Sequence, residues 1–532
     1  MFSNRNTRLR ALPLIALTIA ITNSISQPAY ADKSTWRKLE DQGTASFKRG
    51  DHPDALKSFA EALEQASGYE KSEEDRATTL NDTGLVYDEM KQPAQAQKYY
   101  QDSLEAKRKA FGPDDYALVS TMNNLAFSYI AEKRYGEGIT VLKETIAIVE
   151  KSKGANDPAL SVSLNRLAGV YQTTRKYQDA VDVLTRSLEI AKESFGEKSP
   201  PVAVIQNNLA LALRFMGKGD EAEKLYKDSL WIRQTAIGED SVEVAGSLNK
   251  MALNYREQNK FEDAEPLLKR VVDIVNKAPS VTPQQKAAAY KNLAVIYREM
   301  GTPEKAEPLY DEALHVQQEA FGEFDPALIE TLTDMGQMEQ ELGDYDKAKK
   351  TYERALAICD KVGTNAAPLR LTILDRLEDT YSQSDDLGQA IKFNDQVRLL
   401  ILSQSTVDNK VLARKWNDLA MLYKQQGDLD KAEEYLKKAI ETDQKRGATP
   451  TAEASLYMNN LARVYEQRGK LEEASKLYQT VIDIRTKDNG GDSSSVAAAM
   501  RHYANVLRGL NQVSEAASVD KKAAKIEEGE GE

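Results

Sequence analysis

Cysteine occurs once in 532 residues, at Cys359, so no disulfide can form within the chain and packing alone must hold it. Histidine occurs three times, at His52, His315 and His502, never at the short spacing that brings two imidazoles to one metal. A positive charge excess is missing too: 83 acidic residues stand against 71 basic ones, for a net charge of −12. A surface of that sign repels phosphate backbones and anionic lipid, which argues against a nucleic-acid partner and against membrane docking. Long apolar runs are also absent. The longest, "ALPLIALTIAI" from Ala11, has 11 residues, where a spanning helix needs about 20. No Gly-x-Ser-x-Gly, phosphate-binding loop or dinucleotide fingerprint occurs, so the common catalytic and cofactor motifs are not here. With neither cofactor nor metal motif, the expectation is a chain that is not an enzyme.

The apolar run has a different meaning at its position. Arg5, Arg8 and Arg10 precede it with no acid, and a polar stretch ending in "AYA" at Ala29 to Ala31 follows. A basic start, a short apolar core and small residues at the end are the marks of a secretory signal. The expected mature chain begins at Asp32, carries a charge of −15 once the three arginines are gone, and spans no membrane. Its compartment is then periplasmic or extracellular.

The body of the chain is periodic. The pentapeptide "MNNLA" occurs at Met122 and again at Met458, 336 residues or eight steps of 42 later. Stepping by 42 from Gly84 meets Ala126, Ala168, Ala210, Ala252, Ala294, Gly336, Glu378, Ala420, Ala462 and Ala504, and one step of 41 backwards meets Gly43. Only Glu378 is not small. Twelve residues after each lies a second small residue, from Ala55 and Ala96 through Gly138 to Ala474 and Ala516, without exception.

Within one step, Leu248, Met251, Ala252 and Tyr255 share one helix face, "QNK" breaks the pattern, and Phe261, Ala264, Leu268 and Val271 form a second amphipathic stretch. Sister steps put Gly217, Gly301, Gly343, Gly427 and Gly469 at the break. Between steps, "FGPDD", "FGEKSPP" and "FGEFDP" supply a glycine to end one helix and an acid or proline to open the next. Pro266 and Pro308 are expected in the first turn of their helices, where a missing N–H costs little. Each step therefore predicts a helix pair, with the small residues marking its closest approach.

This pattern resembles the tetratricopeptide repeat (TPR), a helix–turn–helix unit with small residues at two fixed points. The 42-residue step, "NNLA" and "AEPLY" resemble the kinesin light chain type in particular. The resemblance implies an all-α fold, an α-solenoid of about twelve units over residues 32–527 in a right-handed superhelix, with first helices lining the concave side. Residues 528–532, acidic, would follow as a disordered tail.

Two places depart from the pattern. Glu378 replaces the small residue, and Asn394 stands where sister steps have Tyr310, Tyr352 or Tyr478. The expectation is local repacking with Glu378 swung outward, or else a bend near residues 370–410, since a carboxylate in a tight crossing is costly. The last step, with Asn511 and Asp520, reads as a polar cap. "DNGGDSSS" from Asp488 has too little of a calcium loop to be one and reads as a turn. Cys359 reads as a small buried residue, and Tyr87, Tyr129, Tyr171, Tyr255, Tyr297, Tyr381, Tyr423 and Tyr465 as a repeating core element.

The informative surface is the face of each first helix away from its packing stripe. Asn123, Asn165, Asn207, Asn249 and Lys291 form one row there, and Asn124, Asn208, Lys250 and Asn292 a second. A third contains Arg214, Arg256 and Arg298. In repeats of this kind such residues contact extended peptides. An asparagine amide both donates and accepts, and arginines add charge-assisted bonds to carboxylates. The same residues could instead bond within or between repeats, or form a solvated face. The sequence thus predicts an exported, non-catalytic scaffold that binds a protein or peptide partner in its concave groove, with an acidic extended segment expected. The alternatives are a structural protein stacking end to end and an accessory subunit of an enzyme complex.

Overall fold

The structure, a computed structural model, describes residues 33–529 apart from 67–68, 70, 405, 448–450 and 490–493. The expected export signal, half of the "DNGGDSSS" turn and the last three residues of the acidic tail lie outside the described residues.

Helix boundaries follow the punctuation in the sequence. Asp157 accepts a hydrogen bond from the Ala159 N–H with Pro158 in the first turn, and Thr282 and Gln285 close a reciprocal capping box. Second helices end at Gly112, Gly154, Gly196 and Gly322, whose φ values of 85° to 99° lie where a side chain is strained. The "QNK" break turns on Asn259 at φ 56°, and its sisters on Gly217, Gly301, Gly343, Gly427 and Gly469.

The described residues form helices and no strand. The chain divides into two compact units at Ala236 and Ile237. The first unit holds α1 (Lys33–Lys48), α2 (His52–Gln65), α3 (Ser72–Glu89), α4 (Pro93–Phe111), α5 (Val119–Ala131), α6 (Tyr135–Lys153), α7 (Pro158–Thr173), α8 (Tyr177–Phe195), α9 (Pro200–Phe215) and α10 (Gly219–Ile237), whose last residue lies at the boundary. The second holds α11 (Val242–Glu257), α12 (Phe261–Lys277), α13 (Pro283–Glu299), α14 (Pro303–Phe321), α15 (Leu328–Glu341), α16 (Tyr345–Val362), α17 (Ala367–Gln383), α18 (Leu387–Leu402), α19 (Asn409–Gln425), α20 (Leu429–Gln444), α21 (Ala452–Gln467), α22 (Leu471–Asn489), α23 (Ser494–Gly509) and α24 (Val513–Glu527). This is the expected all-α solenoid of helix pairs. Pro266 and Pro308 do not sit in the first turn as expected. Each is the sixth residue of its helix, because α12 and α14 begin at Phe261 and Pro303.

Within each unit a first helix packs on its second helix, as α3 does on α4, and that second helix on the next first helix. First helices also touch one another, as α3 touches α5 and α13 touches α15. The small residues sit where the pairing predicts. A Cβ on Gly84 would come 2.5 Å from the Tyr100 ring, and one on Gly336 2.7 Å from the Tyr352 ring. Sixteen residues separate these partners, and the same spacing pairs Ala168 with Leu184 and Ala294 with Tyr310, all buried. Each pair buries a strip of apolar surface that neither helix could cover alone, which is why one unit is not stable by itself.

The exceptional pair is Glu378 and Asn394. Glu378 is not swung outward, contrary to expectation: it stays in the crossing, 5% exposed, and is paired there. Asn394, standing where most sister helices have Leu or Tyr, donates from Nδ2 to the Glu378 carboxylate at 2.8 Å and to the Lys415 carbonyl at 3.1 Å. Lys415 of α19 reaches back to the other Glu378 oxygen at 2.9 Å. Two departures and one distant lysine thus form a single buried polar network. Cys359 and most of the repeated tyrosines are buried, while Tyr87, Tyr381 and Tyr423 are half-buried and stack on Tyr99, Phe393 and Tyr435 of their second helices.

Candidate functional site

The asparagine rows lie on the first helices, and the structure shows what they bond. Asn124 Nδ2 donates to Asn81 Oδ1 at 3.1 Å, Asn208 to Asn165 at 2.9 Å, Asn292 to Asn249 at 2.8 Å and Asn460 to Asn417 at 2.8 Å. In each case the donor is 43 residues beyond the acceptor, so one row accepts from the other across adjacent first helices. These are rungs between repeats. Asn165, Asn208, Asn249, Asn292 and Asn124 are therefore half-buried and engaged within the protein, with edges still toward solvent. Asn207 is buried outright and donates to Ser229 Oγ at 3.1 Å, behind the face and not on it. Lys250 is half-buried at the position of Asn208 and Asn292.

The arginine row is likewise occupied. Arg256 grips Glu299 through two bonds, Nε at 2.8 Å and Nη2 at 2.5 Å, again across 43 residues. Glu299 holds the Arg256 guanidinium above its ordinary pKa, against the opposing effect of burial. Arg298, largely buried, lies 3.7 Å from Glu341 and 3.8 Å from Glu299. Lys291 pairs with Glu330 at 2.5 Å and Asp334 at 3.6 Å. Arg214 is the last residue but one of α9 in the first unit, its guanidinium carbon 4.8 Å from the centre of the Phe215 ring. The structure does not bring the three arginines together in one unit.

Within the first unit, the count of 43 fails to meet an asparagine at Asn123. Counting 43 from Asn123 leads to Arg166, where other rungs have a donor asparagine. Asn123 is 9% exposed, and its Oδ1 is buried with no hydrogen-bond donor. Arg166 has no carboxylate partner among the described residues, and burial lowers its pKa. Its guanidinium carbon lies 5.1 Å from the centre of the Phe127 ring, a cation–π contact. Asn123, Asn124, Val162 and Arg166 line a cleft of about 510 Å³ between α5 and α7. Sequence reasoning did not single out Arg166, although it stands in the row of Asn124 and Asn208 as the one residue there that interrupts them in the first unit.

Around this cleft the free face is apolar. Phe127 on α5, Val162 on α7 and Val204 on α9 are each between 42% and 50% exposed, on the same side of their helices as the rungs. Among the described residues no cluster of His, Cys, Asp and Glu could hold a metal ion, and no helix is long and apolar enough to cross a membrane.

Comparison with known proteins fits this architecture. No curated protein matches the chain. Solved structures that match include BtubC (BKLC) of P. vanneervenii, 24% identical over 44% of this chain and 92% of that one, with a TM-score of 0.40. A kinesin light chain of Podosopora anserina with nearly identical TPR-like repeats is 22% identical over 39% of this chain and 99% of that one, with a TM-score of 0.36. The apo quorum sensor NprR of B. thuringiensis is 17% identical over 69% and 99%, with a TM-score of 0.44. The tetratricopeptide repeat family profile matches residues 37–109, 118–193, 201–277, 285–361, 333–398, 411–487 and 452–528. With nearly every helix pair inside a match, the chain belongs to the tetratricopeptide repeat family.

Proposed function

We propose that this chain is an exported, non-catalytic scaffold that holds an extended segment of another protein against the free faces of its first helices. The observation that carries the reading is the exposed apolar strip Phe127, Val162 and Val204, flanked by amide edges at Asn124, Asn165 and Asn208. Apolar side chains in water are costly and a covering segment removes that cost, while the asparagine edges offer bonds to its backbone. An acidic segment is favoured where a cation lacks a carboxylate. An acidic ligand docking on Arg256 would have to displace Glu299. Export rests on the basic, apolar and small-residue succession of residues 1–31, and N-terminal sequencing of the secreted product should begin at Asp32.

The test is selection of random dodecapeptides displayed on phage against residues 32–532. The parent should enrich a related set of peptides. A variant with Phe127→Gln, Val162→Gln and Val204→Gln, checked by circular dichroism, should bind the leading peptide at least about tenfold more weakly. Failure of the parent to enrich any peptide would overturn the reading, and so would equal binding by the variant.

A further inference from the structure

We infer that a cleft beside Trp231, formed by α8, α9 and α10 and the loop between α8 and α9, is a binding site for one neutral sugar ring, a pyranose. It is separate from the strip of Phe127, Val162 and Val204 and goes beyond the segment-binding reading. Gln206, which lines the cleft, is two residues from Val204 and two from Asn208, hence on the opposite side of α9 from both.

Two departures from the repeat meet here. Four residues before the small residue of each first helix stands a core position. In the eleven other repeats it is filled by leucine six times, by methionine three times, and by Tyr290 and Trp416; in α9 it is Gln206. Nine residues after the small residue of each second helix, six of the other repeats have an acid, and the rest have two alanines, His315, Leu399 and Lys525. In α10 that residue is Trp231. Gln206 is 5% exposed, yet its Oε1 is buried with no hydrogen-bond donor, a cost the sister repeats avoid. Trp231 lies 48% exposed. Neither residue is what packing alone selects, and both line one cleft of about 240 Å³.

That volume admits a single ring and no drug-sized molecule. The indole offers a broad, flat apolar face, which suits the C–H face of a pyranose. Lys198 Nζ stands 4.6 Å from the centre of the indole, so a ring seated there moves the ammonium to its edge and gains a donor. The polar groups around the indole are of both kinds: Lys192 and Lys198 donate, while Glu197, Asp228 and the Gln206 oxygen accept. Among the described residues none of these four charges is in an ion pair. Opposite charges in equal number give a phosphate or a carboxylate little net attraction. Hydroxyls meet both kinds, because each donates and accepts, and a pyranose carries them along its edges while its faces stay apolar. One of them would donate to the Gln206 oxygen. A nucleobase has the flat face, but its edge groups each work in one direction only.

Saturation-transfer NMR on residues 32–532 tests this with the methyl glycosides of glucose, galactose, mannose and N-acetylglucosamine. Adenosine monophosphate and glucuronic acid are run in parallel. At least one glycoside should bind with a Kd of about 1 mM, with transfer strongest at the protons of one ring face. Trp231→Ala, at an exposed position, should keep the circular dichroism of the parent and bind that glycoside at least about tenfold more weakly. Gln206→Leu restores the residue most common in sister repeats, so it should melt no lower than the parent and still lose about the same factor. A residue kept only for the fold would not exchange sugar binding for stability in this way. The best ring is then offered as the end unit of a disaccharide: tighter binding assigns the site to a glycan chain, equal binding to a free sugar. Absence of transfer to all four glycosides overturns the site, and so does parent-like binding by either variant. Transfer to adenosine monophosphate or glucuronic acid alone overturns a neutral sugar as the occupant.

Discussion

Replacing Glu378 by alanine should loosen α17–α19 by about 3 kcal/mol, at the lower end of the range for breaking a buried ion pair. The wild-type carboxylate accepts from Asn394 at 2.8 Å and from Lys415 at 2.9 Å, and Lys415 is only 7% exposed. Burial raises the Glu378 pKa, with the Lys415 ammonium acting against that. Removing the carboxylate leaves an ammonium and an amide in a crossing shaped for neither water nor hydrocarbon. Asp375 and Asp418 also reach Lys415 but are far more exposed, so they soften the loss and do not cancel it. Because repeats couple mainly to their neighbours, the effect should be local. Hydrogen exchange should quicken roughly a hundredfold in α17–α19, and little in α3–α9. Adding Asn394→Tyr to Glu378→Ala recreates the pair found at Ala294 and Tyr310 and should recover part of the loss. Unchanged exchange in the single variant would mean that the network contributes nothing.

A second large effect concerns pH. Glu40 of α1 is 8% exposed; one carboxyl oxygen lies 2.6 Å from the Thr79 hydroxyl, and the other has no partner. Burial, reinforced by the Asp82 charge and opposed by the Thr79 bond, pushes its pKa up from 4.5 to about 8. The folded end therefore holds a proton that the unfolded chain releases, and stability is full below pH 4.5 and lost as pH rises through about 8. The loss is on the order of 5 kcal/mol, since each pKa unit corresponds to about 1.4 kcal/mol. It should show as faster exchange of α1 amides between pH 6 and pH 9, beyond the ordinary base catalysis measured on Glu40→Gln. That variant keeps the shape and cannot ionise. Identical pH profiles for the two proteins would sink the assignment.

The solenoid was readable because close helix packing requires small residues at fixed places, and a 42-residue recurrence of Gly and Ala states those places directly. The bonds across repeats were not readable from the same count. Adjacent first helices meet with an offset of one residue, so partners stand 43 apart and belong to different rows. Counted that way, Arg256 leads to Glu299 and Arg298 to Glu341, an arrangement of acids present in the sequence all along. Glu378 was visible as a departure, yet its partner Lys415 could not be found without the path of the chain, because 37 residues match no repeat offset. Arg166 was hidden for the opposite reason: it is ordinary as a surface residue and exceptional only beside the rungs it fails to make.

Those rungs also bear on how the chain is made. Each joins uncharged amides 43 residues apart, so neither salt nor pH between the usual carboxylate and lysine ranges should weaken it. Each can close as soon as one more helix pair has left the ribosome or a translocation channel. A newly made segment has no distant strand or terminus to await, and the topology is one of low contact order, which favours rapid folding. Growth from the N-terminus would then proceed like a zipper, every tooth setting the register for the next.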